Sequence, residues 1–279
     1  MAPSIKSVFT AYTEEGQGEQ DAALGYALSL AEQSGAHLTI QAAAMRYAVP
    51  ASLVGDFGVA FVQSENRRID ALAERFAAHA KTSAALSGVN STIETPRLVY
   101  SELADRLVSE AQVHDLSVLD IEKDAAERDR GLIEAALFDS GRPVIIVPPG
   151  AETFATKRIL IAWDGSAGAA RAVAEARPFL KGAEVEILSV TGEKDLSRLV
   201  AGAELAPHLA RHGASVTVRN VAVSGGSDVA ETIRQAATAF GADLIVCGAY
   251  KHSRLREWLL GGVTQSLLKS TPVPLLMSR

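Results

Sequence analysis

The sequence predicts an α/β fold of the doubly wound, parallel-sheet kind, built twice within one chain of 279 residues. Three observations carry this. Short apolar runs alternate with helical segments of ten or more residues, as when strands are joined by right-handed crossovers. The runs at 159–161 and 244–246 are continuously apolar, so both of their faces are buried. The whole pattern recurs about halfway along the chain.

The elements match in order. Residues 5–13 give a polar lead-in, a short apolar strand and a polar turn, and residues 156–164 do the same. An alanine-rich amphipathic segment follows each: Asp21 to Gln33, closed by Gly35, and Ala167 to Lys181, closed by Gly182. Glycine just past a helix end suits the left-handed C′ conformation. A second strand follows at His37 to Gln41 and at Glu184 to Val190. Near the ends, Asp115–Asp120 matches Asp243–Gly248, Gly131–Leu137 matches Gly262–Leu268, and Arg142–Val147 matches Val273–Met277. These matches define a first domain of residues 1–148, a linker of 149–155 that includes Pro149 and Gly150, and a second domain of residues 156–279.

Composition narrows the classes of function. Hydrophobic residues make up 48% and charged residues 22%, which supports packed cores and not disorder. No apolar run approaches the roughly 18–20 residues that cross a bilayer. The first residues show no basic region ahead of a long apolar stretch, so no signal peptide is expected. Cys247 is the single cysteine, which precludes an intramolecular disulfide and fits a reducing, cytoplasmic setting. Residues 1–150 carry 12 Lys and Arg against 21 Asp and Glu, a net of −9; residues 151–279 carry 15 against 12, a net of +3. That balance disfavours nucleic acid as a partner and leaves the second half able to accept a small anion.

Ligands of doubly wound sheets sit beyond the carboxyl ends of the strands. In the second domain the first strand runs into Asp164-Gly165-Ser166. Asp164 is placed to bond a base or ribose or to help hold a cation; as a plain structural element it is a helix N-cap. The fourth strand ends at Gly248, and Gly261-Gly262-Val263-Thr264 opens a later helix, whose free N–H groups suit an anion. Read structurally, these glycines shape a long loop and a helix entry.

The stretch from Gly248 to Thr264, with the closing Pro272-Val273-Pro274-Leu275-Leu276, resembles the universal stress protein family, strongly over 156–279 and weakly, through the repeat, over 1–148. That family carries G-x-x-G, nine residues, then G-[S/T] and a Val. Gly248 and Gly261 hold the first and third glycine positions with the spacing intact. The resemblance implies two tandem Rossmann-like, universal-stress-type domains and a stress-response module that binds or senses an adenine nucleotide, ATP with Mg²⁺ first. It places Asp164 and Val190 at the base and ribose, and Gly248, Lys251, Gly261, Gly262, Val263 and Thr264 along the phosphates. It also implies pairing of the two domains within the chain through their last strands, Val144–Val147 and Pro274–Met277, and allows a homodimer. Two positions depart from the family pattern. Lys251 stands for the second glycine, where it either brings an ammonium to the phosphates or fills their pocket. Gly262 stands for the Ser or Thr, forfeiting a hydrogen bond of about 1 kcal/mol.

The first domain reads as degenerate. Thr13 replaces the Asp, and five acidic residues from Asp120 to Asp129 would repel a phosphate. An insertion at 48–66 reads as a lid, a dimer surface or a long loop. Gly150 to Lys157 is no Walker A motif, Gly16-Gln17-Gly18 lacks the third glycine of a dinucleotide fingerprint, and no nucleophile elbow is present. His208 and His212 sit one helical turn apart without a third metal ligand nearby, and an exposed helix face accounts for them better. Cys247, Trp163 and Trp258 read as packing residues. Two other functions stay open: a scaffold without nucleotide, and, ranked last, a slow ATPase, for which only Lys251 and His252 offer reactive groups.

Overall fold

The computed structural model describes residues 5–13, 22–48, 56–120, 127–191, 202–222, 228–252 and 259–279. Gly16-Gln17-Gly18, most of the acidic stretch after Asp120, and Trp258 fall outside these residues, as does the Lys251 side chain, of which only the backbone is described. The chain divides into two compact units, residues 5–142 and 143–279.

In the first unit the elements are β1 (Ser7–Thr13), α1 (Ala22–Ser34), β2 (His37–Met45), α2 (Asp56–Leu86), β3 (Ser91–Glu94), β4 (Arg97–Leu98), α3 (Tyr100–Val113), β5 (Leu116–Asp120) and α4 (Glu127–Asp139). Four strands lie in the order β3-β2-β1-β5, all parallel, and β4 extends the pairing along β2. Val8 lies between Leu38 and Leu116 in register. β2 is buried at every position after His37, the polar Thr39 and Gln41 included.

The helix α2 is the main departure from expectation. Residues 56–66 of the insertion are not a loop but the first third of a 31-residue helix. Its buried positions, Val62, Ile69, Ala73, Ala80 and Ala84, repeat every seven and four residues and make one stripe along the helix. Polar contacts hold its middle turns beside the carboxyl end of β2. Arg46 pairs with Asp70 at 2.6 Å, Arg97 with Glu74 at 2.8 Å, and the Asn66 amide both accepts from Tyr47 N and donates to Tyr47 O.

The second unit contains β6 (Val144–Val147), β7 (Arg158–Ala162), α5 (Ala167–Glu175), β8 (Glu184–Thr191), α6 (Gly202–Arg211), β9 (Ser215–Ala222), α7 (Val229–Phe240), β10 (Leu244–Gly248), β11 (Lys251–His252), β12 (Leu259–Leu260), α8 (Gly262–Lys269) and β13 (Leu275–Ser278). The sheet order is β6-β13-β10-β7-β8-β9, parallel except that β6 runs antiparallel to β13, with Ile146 opposite Leu275. β6, expected at the end of the first domain, thus pairs with β13 inside the second unit. β11 and β12 form a small antiparallel ribbon of their own. α5 stops at Glu175, short of Lys181. Pro178 cannot continue the helical bonding, and a single 3-10 turn, Arg177–Phe179, carries the chain onward. Gly35 and Gly182 adopt positive φ, at 60° and 81°.

The aspartates matched in sequence do matching work. Asp115 Oδ2 accepts from Lys6 N and Ser7 N at 2.7 and 2.9 Å, while its own N–H donates to Ser7 O. Asp243 Oδ2 accepts from Arg158 N at 2.8 Å, and its N–H donates to Arg158 O. Each carboxylate thus locks the start of the fourth long strand to that of the first. Asp243→Ala and Asp115→Ala are each expected to lower folding stability by about 1–3 kcal/mol, read as a lower urea midpoint at unchanged slope. An unchanged midpoint would show that these bonds do no net stabilising.

Candidate functional site

The strand order of the second unit reverses between β7 and β10: from β7 the chain moves outward to β8 and β9, then returns to β10 on the other side. A cavity of about 420 Å³ opens at that point, beyond the carboxyl ends of β7, β8 and β10. Asp164, Val190, Gly248, Gly261, Gly262, Val263 and Thr264 all line it. Seven of the eight residues singled out from sequence are therefore gathered in one place. For the eighth, Lys251, only a backbone position is defined, opposite Leu260 in the ribbon.

The wall at β7 is a built turn. Asp164 Oδ1 accepts from Ser166 N at 3.0 Å, Gly165 takes φ 70°, and Ser166 caps α5 by accepting from Ala169 N at 3.1 Å. The N-cap is thus Ser166, and Asp164 shapes the turn ahead of it. Only glycine adopts this φ without strain, which explains Asp-Gly-Ser at the position.

The wall at β10 depends on Gly248 for a reason the sequence did not disclose. A Cβ at 248 would lie 2.4 Å from Ala169 N and 2.6 Å from the Gly168 carbonyl carbon. The close approach is to the first turn of α5, within the protein itself. Beyond it, Tyr250 N donates to Thr264 Oγ1 at 3.2 Å and Gly261 N donates to Tyr250 O at 3.0 Å. These bonds fold the α8 start back against the end of β10. Gly261 is the N-cap of α8 and supplies no side-chain cap, so no side chain of the cap competes for the first-turn N–H groups at the cavity. A Cβ on Gly262 would meet nothing within 4 Å.

Several lining residues were not foreseen as such. Trp163 and Cys247, read from sequence as packing residues, are buried and also line the cavity, with Leu188, Ile233 and Leu267 adding apolar surface. Tyr250 and Asp228 complete the rim. Asp228 carries an N-cap signature ahead of Val229-Ala230-Glu231, and its Oδ1 accepts from Ala230 N at 3.0 Å. That signature reveals the helix start but not that it faces a cavity. Burial, and then the nearby Asp164 charge, push the Cys247 thiol up from 9.0 to about 12, so it stays protonated and unreactive. His208 and His212 stack edge to face at 4.8 Å; burial, then His212, pulls His208 below its usual range. Among the described residues no three His, Cys, Asp or Glu side chains group to hold a metal ion.

The corresponding place in the first unit is built differently. α4 begins at Glu127, so Gly131, the match of Gly262, lies one turn inside the helix instead of opening it. A Cβ on Gly131 would lie 2.3 Å from Tyr100 Oη, so the Tyr100 ring occupies the space beside this helix. Tyr100 is the first residue of α3, as Val229 is of α7. Tyr12, the match of Trp163, is stacked on Phe76 of α2 at 3.9 Å and 7°.

With this geometry in view, the comparisons with known proteins fall into place. Residues 155–279 match the model of the Universal stress protein family. Two solved structures align with nearly the whole chain. A universal stress protein from Archaeoglobus fulgidus DSM 4304 is 15% identical, with a TM-score of 0.64, covering 99% of this chain and 97% of that one. A functionally unknown protein from Pseudomonas aeruginosa PAO1 is 15% identical, with a TM-score of 0.60, covering 98% and 92%. At that identity the likeness is one of fold. No curated protein sequence matches. The second unit is a universal stress protein family domain, and the whole chain has the α/β fold of such proteins.

Two measurements follow from these walls. Gly248→Ala forces backbone against backbone and is expected to cost more than about 2 kcal/mol of stability, whereas Gly262→Ser enters open space and leaves the melting temperature within about 2 °C; equal effects would contradict the packing described. Raising the thiol pKa favours the protonated folded state, so Cys247 stabilises fully below pH 9.0 and that contribution is lost as pH rises toward about 12. Urea midpoints of the native protein and Cys247→Ala are expected to converge progressively above pH 9; parallel profiles would rule this out.

Proposed function

We propose that the second unit binds an adenine nucleotide in the cavity between β7, β8, β10 and α8, with ATP and its Mg²⁺ complex the first ligand to test, and that the protein acts as a stress-response sensing module and not through catalysis. The observation that carries this is the convergence of Asp164, Val190, Gly248 and the Gly261–Thr264 helix start on one cavity at the strand-order reversal. The chemistry of the lining suits such a ligand. Trp163, Leu188, Val190 and Ile233 offer an apolar seat for a base, Asp164 a hydroxyl acceptor, and the α8 start uncrowded N–H groups. Lys251 leaves β10 toward this start along β11.

The first unit, with Tyr100 against Gly131 and Tyr12 against Phe76, takes the second role: a tandem partner without a nucleotide site of its own. Among the described residues no helix is long and apolar enough to cross a membrane, and a cytoplasmic location and a homodimer belong to the same proposal.

The test is mass spectrometry of small molecules released from freshly purified protein on denaturation, with calorimetric titration of MgATP. Binding is expected at one site per chain and is expected to fall at least tenfold in Asp164→Ala and in Gly261→Leu. No released nucleotide and no heat of binding would leave the scaffold reading in its place.

A further inference from the structure

The sheet face that α3 covers in the first unit holds a polar side chain whose bonds are unmade. Gln41 lies in the middle of β2 with no exposed surface, and neither its Oε1 nor its Nε2 has a hydrogen-bond partner among the described residues. Its neighbours define its surroundings. Two residues back along β2, Thr39 Oγ1 lies 2.8 Å from Nε2 of His114, which follows the last turn of α3. Across the register, Gln41 stands opposite Glu94 of β3, and Glu94 accepts from Nη2 of Arg106, in the middle of α3. Side chains alternate along a strand and register partners share a face, so Gln41 lies beneath α3 between these two contacts.

Both contacts are already spent. His114 Nδ1 donates to the Glu110 carbonyl at 2.7 Å, so Nε2 accepts the proton of the Thr39 hydroxyl. Arg106 Nη2 is shared between Glu94 and Glu110. Arg106 Nε is different: it too is buried and has no partner among the described residues. A free acceptor on Gln41 and a free donor on the arginine that bonds its register neighbour thus occur in one buried layer and do not meet. Buried polar groups that the protein leaves unbonded are satisfied by ordered water, because an unmade bond costs the full desolvation of the group. The ligand must accept from Arg106 Nε, bond the Gln41 amide and fit a place with no opening at Gln41, and water does all three. We infer that the first unit holds an internal water site shared by the Gln41 amide and Arg106 Nε.

This place has a counterpart in the second unit. Ala11 pairs with Gln41 as Ala162 pairs with Leu188, and Ala162 and Leu188 both line the cavity described above. One point of the fold is an apolar wall in the second unit and a hydrated, polar interior in the first. Two variants isolate the water. Gln41→Met keeps the length and flexibility of the side chain and removes the amide. Arg106→Lys keeps a cation beside Glu94 and removes Nε.

The experiment is a high-resolution crystal structure of the full chain, joined to urea unfolding of the native protein, Gln41→Met, Arg106→Lys and the double variant. Ordered water is expected at about 2.7–3.2 Å from both Arg106 Nε and the Gln41 amide. Gln41→Met is expected to lower the urea midpoint by about 0.5 M. In the Arg106→Lys background it is expected to lower it by less than half as much, because the two side chains share the water. A direct bond from Arg106 Nε to Gln41, or no ordered water at the amide, would overturn the inference whatever the stability of the variants. So would a higher midpoint in Gln41→Met, which marks relief of an unbonded amide, or equal effects of that substitution in the two backgrounds.

Discussion

The carboxyl end of β10 lies against the first turn of α5 because residue 248 has no side chain, and the rest of the site is arranged around that contact. With β10 brought this close, the Asp164-Gly165-Ser166 turn sits beside it, and Cys247 comes near enough to feel the Asp164 charge. Just beyond β10 the chain is tied to the start of α8, where Tyr250 N donates to Thr264 Oγ1 and Tyr250 O accepts from Gly261 N. A sheet with the same order but a bulkier residue at 248 would push α5 away and lose the wall that carries Asp164.

The two units show how the same topology either keeps or fills such a crevice. Both order their four long strands alike, and both lock the first strand to the fourth through one aspartate, Asp115 or Asp243. In the second unit α8 opens on Gly261-Gly262 and α7 opens on Val229, small residues that leave room. In the first, α4 starts a turn earlier and α3 opens on Tyr100, whose ring takes up the room beside Gly131. The long helix α2 of the first unit adds ion pairs over the end of β2.

Much of this was legible in residues. The alternation of apolar runs and helical segments predicted the α/β sheet. The glycine spacing from Gly248 to Gly261 picked out the strand end and helix start that share the cavity. Gly35 and Gly182 were read as left-handed turns and are so. What escaped reading has physical causes. The length of α2 is not read from pattern because Arg46, Arg97 and Tyr47 tie its middle turns from outside the helix, 19 to 24 residues from their partners. α5 ends before Lys181 because the apolar spacing continues past Pro178 while the backbone bonding does not. Asp228 escaped because an N-cap looks the same whether it faces solvent or a cavity.

The sequence by itself determined the class of fold, its repetition, and which strand ends to search, because these follow from local periodicity and from residues whose backbone freedom is special. Only the tertiary structure decided why Gly248 is glycine, that Asp228 and Asp164 line one cavity, and that Tyr100 lies against Gly131 in the first unit. Each of those depends on which backbone or ring lies within a few ångströms of an atom distant in sequence, and pairwise proximity of that kind is set by packing, not by pattern.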